Sequence, residues 1–163
     1  TFIQTDNTVS LNLESEYANQ YASTGPLALI DGIKGGHEFR TGDWQGYWAQ
    51  DVVAEIVFDE PRSISEVGIG VLSDMKSWVF LPRSISVAFS YDGEKIESGT
   101  TQIFESQGKN DMYPHKKDVN VKIDAEKPVK KIRIIVNNLG KCPDWHLGAG
   151  NDTWLFLDEI TFK

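Results

Sequence analysis

The chain has 163 residues, enough for one domain that buries a full hydrophobic core without disulfide or metal staples. Hydrophobic residues make up 40% and charged residues 25% of it, a globular balance that excludes a disordered chain. With 24 acidic against 16 basic residues the net charge is −8, which repels phosphate backbones and anionic lipid surfaces, so we expect no nucleic acid and no membrane as partner.

Short strands and turns are predicted along the whole chain. The one helical candidate is the short region 25–31, because no window sustains the i, i+3, i+4, i+7 spacing of an amphipathic helix. The clearest strand is 84–91, where apolar residues alternate with small ones before Asp92-Gly93 closes a hairpin. In chain order, the predicted strands are 51–58, 64–72, 84–91, 95–105, 119–123, 132–136 and 154–162.

These strands, separated by turns and without alternating helices, predict an all-β antiparallel sandwich. Four longer irregular stretches remain, at 31–48, 73–82, 105–117 and 137–153, and long loops in compact β domains commonly carry binding sites. They hold every tryptophan except Trp154, which falls in the last predicted strand. The four loop tryptophans are Trp44, Trp48, Trp78 and Trp145.

Loop tryptophans of this kind are typical of sugar-binding sites. An indole face is flat and polarisable and stacks against the apolar C–H face of a sugar ring. Polar side chains near them would bind the hydroxyl rim; the candidates are Asp43, Gln45, Asp74, Asp144, His146, Asn151 and Asp152. The alternative, which residue pattern alone leaves open, is that these tryptophans only pack the ends of the sandwich.

A cation site is the second candidate. Asp31 follows the apolar run 27–30 and precedes three glycines, so carbonyl oxygens of a tight turn could join its carboxylate on a hard cation, with Glu159 completing the shell. The same residues also fit a plain turn and a solvated strand acid.

Catalytic motifs are absent from the sequence. The three histidines have no metal-binding spacing, and no nucleophile elbow, Walker A loop or dinucleotide fingerprint follows a strand. The acids are numerous enough to leave a carboxylate pair for glycoside hydrolysis open. The single Cys142 excludes an internal disulfide framework and indicates a small packing residue.

Six motifs in order carry a resemblance to a known family. They read LALIDG at 27–32, DWQGY at 43–47, WVFLP at 78–82, SYDG at 90–93, WHLGAG at 145–150 and FLDEI at 156–160. Together they resemble a coagulation factor 5/8 type C (discoidin-like) domain. More narrowly, the chain is similar to family-32 carbohydrate-binding modules and to the C-terminal modules of chitobiase-like β-N-acetylhexosaminidases of Bacteroidetes.

The resemblance implies a galactose-binding-like jelly roll of about eight main strands with a structural calcium ion. By position, the ligands would be the side chains of Asp31 and Glu159 and main-chain oxygens near Ala28, Gly36 and Asp158. The family often has a Ser or Thr hydroxyl a few residues after the Asp, and the corresponding stretch here has none.

Sugar contacts in the family come from loops at one end of the sandwich and vary between members. On that basis the predicted carbohydrate-binding residues are Trp44, Trp78, Trp145, His146 and Asn151. The ligand implied is a glycan of galactose or N-acetylhexosamine type.

The resemblance also implies a biological setting. The chain has no initiator Met, and its first five residues lack the basic region and apolar core of a signal peptide, so we expect residues 1–163 to be one module excised from a larger multidomain glycosidase. The terminal cysteine pair of eukaryotic discoidin domains is missing, which favours the bacterial branch and an exported protein that is secreted, periplasmic or at the cell surface.

Two functions follow from this reading. The first is a non-catalytic module that anchors the parent catalytic domain to glycan. The second is a structural or protein-interaction sandwich that packs against the catalytic domain through the tryptophan loops and binds no sugar. We do not expect the module itself to be an enzyme.

Overall fold

The computed structural model describes residues 3–5 and 9–163, and this part of the chain is all-β, as the sequence predicts. Its ten strands are β1 Ile3–Thr5, β2 Val9–Leu13, β3 Gln45–Trp48, β4 Val52–Arg62, β5 Glu66–Ser73, β6 Ser84–Ser90, β7 Gly99–Ile103, β8 His115–Lys122, β9 Val129–Asn137 and β10 Trp154–Phe162. Within these described residues, no helix has the length and apolar character that a membrane crossing requires.

The strands form two antiparallel sheets. One has six strands in the order β1-β2-β4-β9-β6-β7, and the other has four in the order β3-β10-β5-β8. Neighbouring strands in both sheets are antiparallel. The predicted antiparallel sandwich of jelly-roll type is therefore confirmed.

The main core lies between the sheets. Inward-facing side chains of β4, such as Ala54 and Ile56, meet those of β5, such as Ile69 and Val71, and each is at most 1% exposed. Burying alternating apolar residues in this way is what selects the register of each strand, because a slip of one residue would turn the apolar set outward.

All seven strands predicted from sequence are present, with shifted ends. The strand predicted at 95–105 begins only at Gly99, and the one predicted at 51–58 runs on to Arg62. Three short strands were not predicted, among them β3, whose residues had been assigned to a loop. The region 25–31 contains a single 3-10 turn, Ala28–Ile30.

Five strand ends meet at one end of the sandwich, here called the loop end. There β2, β3, β5, β7 and β9 finish and β4, β6, β8 and β10 begin. The connecting segments 49–51, 74–83, 104–114 and 138–153 therefore gather at this end. These include three of the four long irregular stretches predicted from sequence.

The outer face of the four-stranded sheet is partly covered by the chain itself. Phe39 and Trp44 pack there against Leu72, Val79 and Phe156 in a second buried cluster. The covered part of this sheet face stops near the loop end, where β10 begins.

Candidate functional site

Three tryptophans form an open aromatic surface at the loop end, here called the tryptophan surface. Trp48 is the last residue of β3 and Trp154 the first of β10, and the two are directly paired across the strands, so their side chains share the outer face of the sheet. Their ring centroids are 5.1 Å apart, and the Trp78 ring is stacked on Trp48 with centroids 6.4 Å apart and planes 22° from parallel. Trp48 is 38% exposed.

Trp78 is fixed in place by its backbone. It follows the 3-10 turn Met75–Ser77 with a φ of 65°, a left-handed conformation that costs energy for a bulky side chain. Its N–H donates to the Met75 carbonyl (3.1 Å) and its carbonyl accepts from the Trp154 N–H (2.9 Å). The surrounding structure therefore holds Trp78 in its conformation before any ligand binds.

Glycine lets the loop 143–150 lie against this indole. A Cβ on Gly148 would come within 2.7 Å of the Trp78 ring, closer than van der Waals contact allows. The His146 ring lies edge-on to Trp78, with centroids 6.5 Å apart. The loop 143–150 therefore supports the Trp78 ring by direct contact.

The three indoles line a shallow cleft of about 450 Å³ together with Ala18 and Gln20. The segment that carries Ala18 is tied to the sheet, because its N–H donates to the Gly46 carbonyl (2.8 Å). Gln20 is exposed and brings an amide that both donates and accepts. A flat apolar floor beside a polar amide matches a sugar ring, which has an apolar C–H face and a hydroxyl rim.

Two residues predicted as sugar contacts lie in buried positions. Trp44 is 0% exposed, and its Nε1 donates to the Gly36 carbonyl (3.0 Å). His146 is 6% exposed, with Nε2 2.5 Å from the Met75 carbonyl oxygen and Nδ1 accepting from the Gly148 N–H (2.9 Å). Both side chains have their polar atoms satisfied inside the protein, so the surface described here includes neither.

The other three predicted contacts lie at the loop end. Trp78 belongs to the tryptophan surface. Trp145 is 37% exposed and lines a separate groove. Asn151 is exposed, and its Nδ2 donates to the Gly148 carbonyl (2.9 Å), within its own loop.

The sequence prediction missed two members of the tryptophan surface. Trp48 was counted as a loop tryptophan but not chosen, and Trp154 was treated only as a strand residue. The signal that could have found them is their cross-strand pairing, which requires the register of β3 against β10.

The predicted calcium ligands Asp31 and Glu159 come together beside β10. The Gly32 N–H donates to Glu159 Oε2 (2.7 Å), which holds the turn after Asp31 against the strand. Asp31 Oδ1 accepts from the Ile33 N–H (2.9 Å), and its Oδ2 contacts the Thr24 hydroxyl. Thr24 thus brings a hydroxyl to the site from before the Asp, whereas the family pattern has one after it.

A bulge in β10 places these acids. The register against β5 shifts between Leu157 and Ile160, so that β10 has one residue more than its partner over this stretch. Strict alternation would send Asp158 and Glu159 to opposite faces. Both instead line one pocket beside Gly68 and Gly70 of β5, where they are 2% and 6% exposed.

The Glu159 carboxylate is only partly satisfied by the protein. Its Oε1 is buried and has no hydrogen-bond partner among the described residues. Burial, and after it the neighbouring Asp31 and Asp158, raise the pKa of the Glu159 carboxyl to about 8, against the lowering effect of the Gly32 N–H. A divalent cation at this position would give the buried Oε1 a partner and stabilise the charged form of the carboxylate. The residues present therefore fit calcium.

The remaining predicted ligands, Ala28, Gly36 and Asp158, would supply main-chain oxygens. Ala28 is 1% exposed in the 3-10 turn that packs on β10. The Gly36 carbonyl accepts from Trp44 Nε1. The Asp158 carboxylate is occupied by Lys116 Nζ (2.8 Å) and the Gly35 N–H (2.9 Å), which leaves its carbonyl as the group implied by the resemblance. Among the described residues no three His, Cys, Asp or Glu side chains form a metal cluster, so a cation would depend on two carboxylates and backbone oxygens.

Comparison with known proteins identifies relatives of the fold. No protein-family model matches the chain, and no curated protein matches its sequence. A fucose-binding module of Streptococcus pneumoniae is similar in structure, with a TM-score of 0.57 and 15% identity over 93% of this chain and 88% of that one.

Two further solved structures extend the likeness. A CBM32 module from Clostridium perfringens, in complex with GalNAc-β-1,3-galactose, has a TM-score of 0.55 and 9% identity over 94% of each chain. The C-terminal domain of a chitobiase from Bacteroides fragilis has a TM-score of 0.50 and 15% identity over 100% of this chain and 97% of that one. The chain therefore has the fold of family-32, F5/8 type C-like modules, as the sequence resemblance predicts.

Proposed function

We propose that this chain is a non-catalytic carbohydrate-binding module that anchors a parent glycoside hydrolase to a glycan of galactose or N-acetylhexosamine type. The observation that carries the proposal is the tryptophan surface, an open floor of three indoles on a rigid sheet edge. Tethering raises the effective concentration of a catalytic domain near its substrate without any chemistry in the module.

The surface suits a sugar because its three indoles are held in place before a ligand binds and because a polar amide lies beside them. Trp48 and Trp154 lie on strand ends and Trp78 on a strained, hydrogen-bonded turn, so little conformational entropy is lost when a ligand binds. Gln20 brings the amide that can bind ring hydroxyls. The solved module that binds fucose and the one in complex with GalNAc-β-1,3-galactose share the fold, which supports the same class of ligand here.

We propose that calcium stabilises this module without taking part in sugar binding. The support is the buried, unpartnered Glu159 Oε1 and the adjoining Asp31 carboxylate. Main-chain oxygens near Ala28, Gly36 and Asp158 would complete the six to eight oxygen ligands that calcium takes. The ion would join the turn 31–36 to β10 and cancel the charge of the two acids.

The parent protein and its location follow from the ligand. Glycans of this type lie outside the cytoplasm, so we propose an exported bacterial protein that is secreted, periplasmic or at the cell surface. Likeness to a chitobiase C-terminal domain supports a glycosidase as the parent.

The test is a titration of the purified chain by calorimetry. The panel contains fucose, galactose, N-acetylgalactosamine, N-acetylglucosamine and short oligosaccharides of each. We expect at least one sugar to bind the wild type and the Trp48→Ala variant to lose that binding. A control variant is Ile96→Ala, which removes an exposed apolar side chain between β6 and β7, away from the loop end. Absence of heat and of tryptophan fluorescence change across the panel would reject the proposal.

A second candidate function rests on the same surface. Open aromatic side chains also anchor protein interfaces, so the tryptophan surface could dock the neighbouring catalytic domain. That function predicts a complex between separately produced domains that Trp48→Ala breaks, together with no response to any sugar.

A further inference from the structure

A second recess lies at the loop end, bordered by Trp145. It has a volume of about 220 Å³ and is lined by the segments that precede β6, follow β7 and follow β9. Phe80 and Pro82 are buried beneath it, and Leu81, Phe104 and Leu139 are partly buried. We call this recess the Trp145 groove.

The walls of the groove are held together by hydrogen bonds between the three segments. The Arg83 N–H donates to the Asn137 carbonyl (2.8 Å), and the Phe104 N–H donates to the Arg83 carbonyl (3.0 Å). Gln107 Oε1 accepts from the Leu81 N–H (3.0 Å). The groove is therefore formed before any ligand arrives, as ligand pockets commonly are.

The rim of the groove carries both hydrogen-bond donors and acceptors. Arg83, Glu105 and Lys141 line it and are exposed. No carboxylate of the described residues lies within ion-pair distance of the Arg83 guanidinium, whereas Lys141 is paired with Asp152 (2.6 Å). Guanidinium donors together with carboxylate acceptors match sugar hydroxyls, which donate and accept at once.

The groove and the tryptophan surface are joined by aromatic contacts. The buried His146 ring lies 5.9 Å from the Trp145 ring and 6.5 Å from the Trp78 ring, centroid to centroid. The two indoles are therefore no farther apart than the sum of those distances. A short chain of linked sugar rings is long enough to span such a separation.

We propose that the Trp145 groove binds a sugar residue adjoining the one on the tryptophan surface, so that the ligand of this module is an oligosaccharide and not a single terminal sugar. The inference rests on the proposed function and specifies its substrate class. Trp145 stacks on the second ring, and Arg83 and Glu105 bind its hydroxyls. Two linked contacts bind more tightly than either alone, because the second forms at high effective concentration.

The experiment compares matched sugars by calorimetry on the 163-residue chain. Galactose is compared with GalNAc-β-1,3-galactose, and N-acetylglucosamine with its β-1,4-linked di- and tetrasaccharides. We expect the favoured oligosaccharide to bind about tenfold or more tightly than its monosaccharide. Trp145→Ala and Arg83→Ala should bring the oligosaccharide Kd to the monosaccharide value and leave the monosaccharide Kd unchanged.

Three variants separate this inference from the proposed function. Trp48→Ala should weaken both classes of sugar, while Ile96→Ala should weaken neither. Equal Kd values within about twofold along a series that binds, or an oligosaccharide Kd unaffected by Trp145→Ala, would overturn the inference and leave the proposed function standing. If no sugar binds the wild type at all, both are rejected. Circular dichroism of each variant confirms that the loss comes from a folded protein.

Discussion

Two regions of the same sheet face use tryptophan in opposite ways. On the covered face Trp44 is sealed beneath the chain, and at the loop end Trp48, only four residues later, is open to solvent. The difference comes from the neighbouring backbone: the Trp44 indole lies against Gly35, where a Cβ would overlap it, and its N–H is satisfied by Gly36. Among the described residues no such cover lies over Trp48, which is 38% exposed.

Residue type alone therefore does not assign a role to an aromatic side chain. An indole whose N–H is bound internally and whose faces are packed contributes to stability. An indole on a strand end with a free face is available to a ligand. Three predictions test this division, beginning with the covered face, and a fourth concerns the acids beside that face.

The largest effect is expected for Trp44→Ala. Removing a fully buried indole leaves a cavity, so the free energy of unfolding should fall by about 3–5 kcal/mol. Urea denaturation followed by circular dichroism measures it. The fraction that remains folded should bind sugar with unchanged Kd. A selective loss of sugar binding in a stable Trp44→Ala protein would instead show that Trp44 belongs to the binding site.

The next effect is expected for Trp48→Ala at the loop end. Loss of an anchor tryptophan should weaken the binding of a responsive sugar by about 2 kcal/mol, or roughly thirtyfold. The loss of unfolding free energy should be less than half of that for Trp44→Ala, because the Trp48 side chain is already 38% exposed. Calorimetry and urea denaturation of the same sample separate the two quantities.

A smaller effect is expected where glycine supports the open surface. Gly148→Ala adds a methyl group within 2.7 Å of the Trp78 ring, which must then move, at a cost of about 1–3 kcal/mol in unfolding free energy and with weaker sugar binding. Gly108→Ala is the matched control, because a Cβ there has no neighbour within 4 Å. Equal behaviour of the two variants would show that the position of Trp78 does not matter.

The last effect concerns the acids beside the covered face and depends on pH. Without calcium the folded chain holds the Glu159 proton up to a pKa of about 8, whereas the unfolded chain releases it near the ordinary value of 4.5. Between these values the folded state binds more protons, so the free energy of unfolding falls as pH rises. Added calcium should stop the fall by replacing the proton.

Glu159→Gln checks the origin of this pH dependence. The variant cannot ionise, so in chelator its melting temperature should not fall between pH 5 and pH 8, and calcium should no longer raise it. Asp31→Asn should also lose the calcium response. Identical pH profiles of wild type and Glu159→Gln in chelator would contradict the assignment.

The sequence predicted the strands better than the site. Strand β10 has the predicted bounds, because apolar residues fill most of its positions, and β6 is predicted by its strict alternation. Strand β3 was missed because Gln45, Gly46 and Tyr47 are all buried, so no alternation marks it. Its burial comes from distant partners: the segment 18–25 contacts Gln45 and Gly46, and Tyr47 packs in the main core. This burial is a tertiary feature.

The site depended on register and on one bulge, and neither is visible in a single sequence. Trp48 and Trp154 meet only because β3 pairs with β10 at that register, 106 positions apart in the chain. Asp158 and Glu159 share one side only because of the bulge before Ile160. The meeting of Asp31 with Glu159 was predicted through family resemblance, since spacing alone also fits a plain turn.

The most direct test of the division between the two regions is the set of indole N–H signals in a nitrogen-15 NMR spectrum. The chain has five tryptophans and so five such signals, which single tryptophan variants assign. Titration with a binding sugar should shift the signals of Trp48, Trp78 and Trp154 and leave that of Trp44 in place. A shift of Trp44 alone, or no shift of any indole on saturation, would contradict the account.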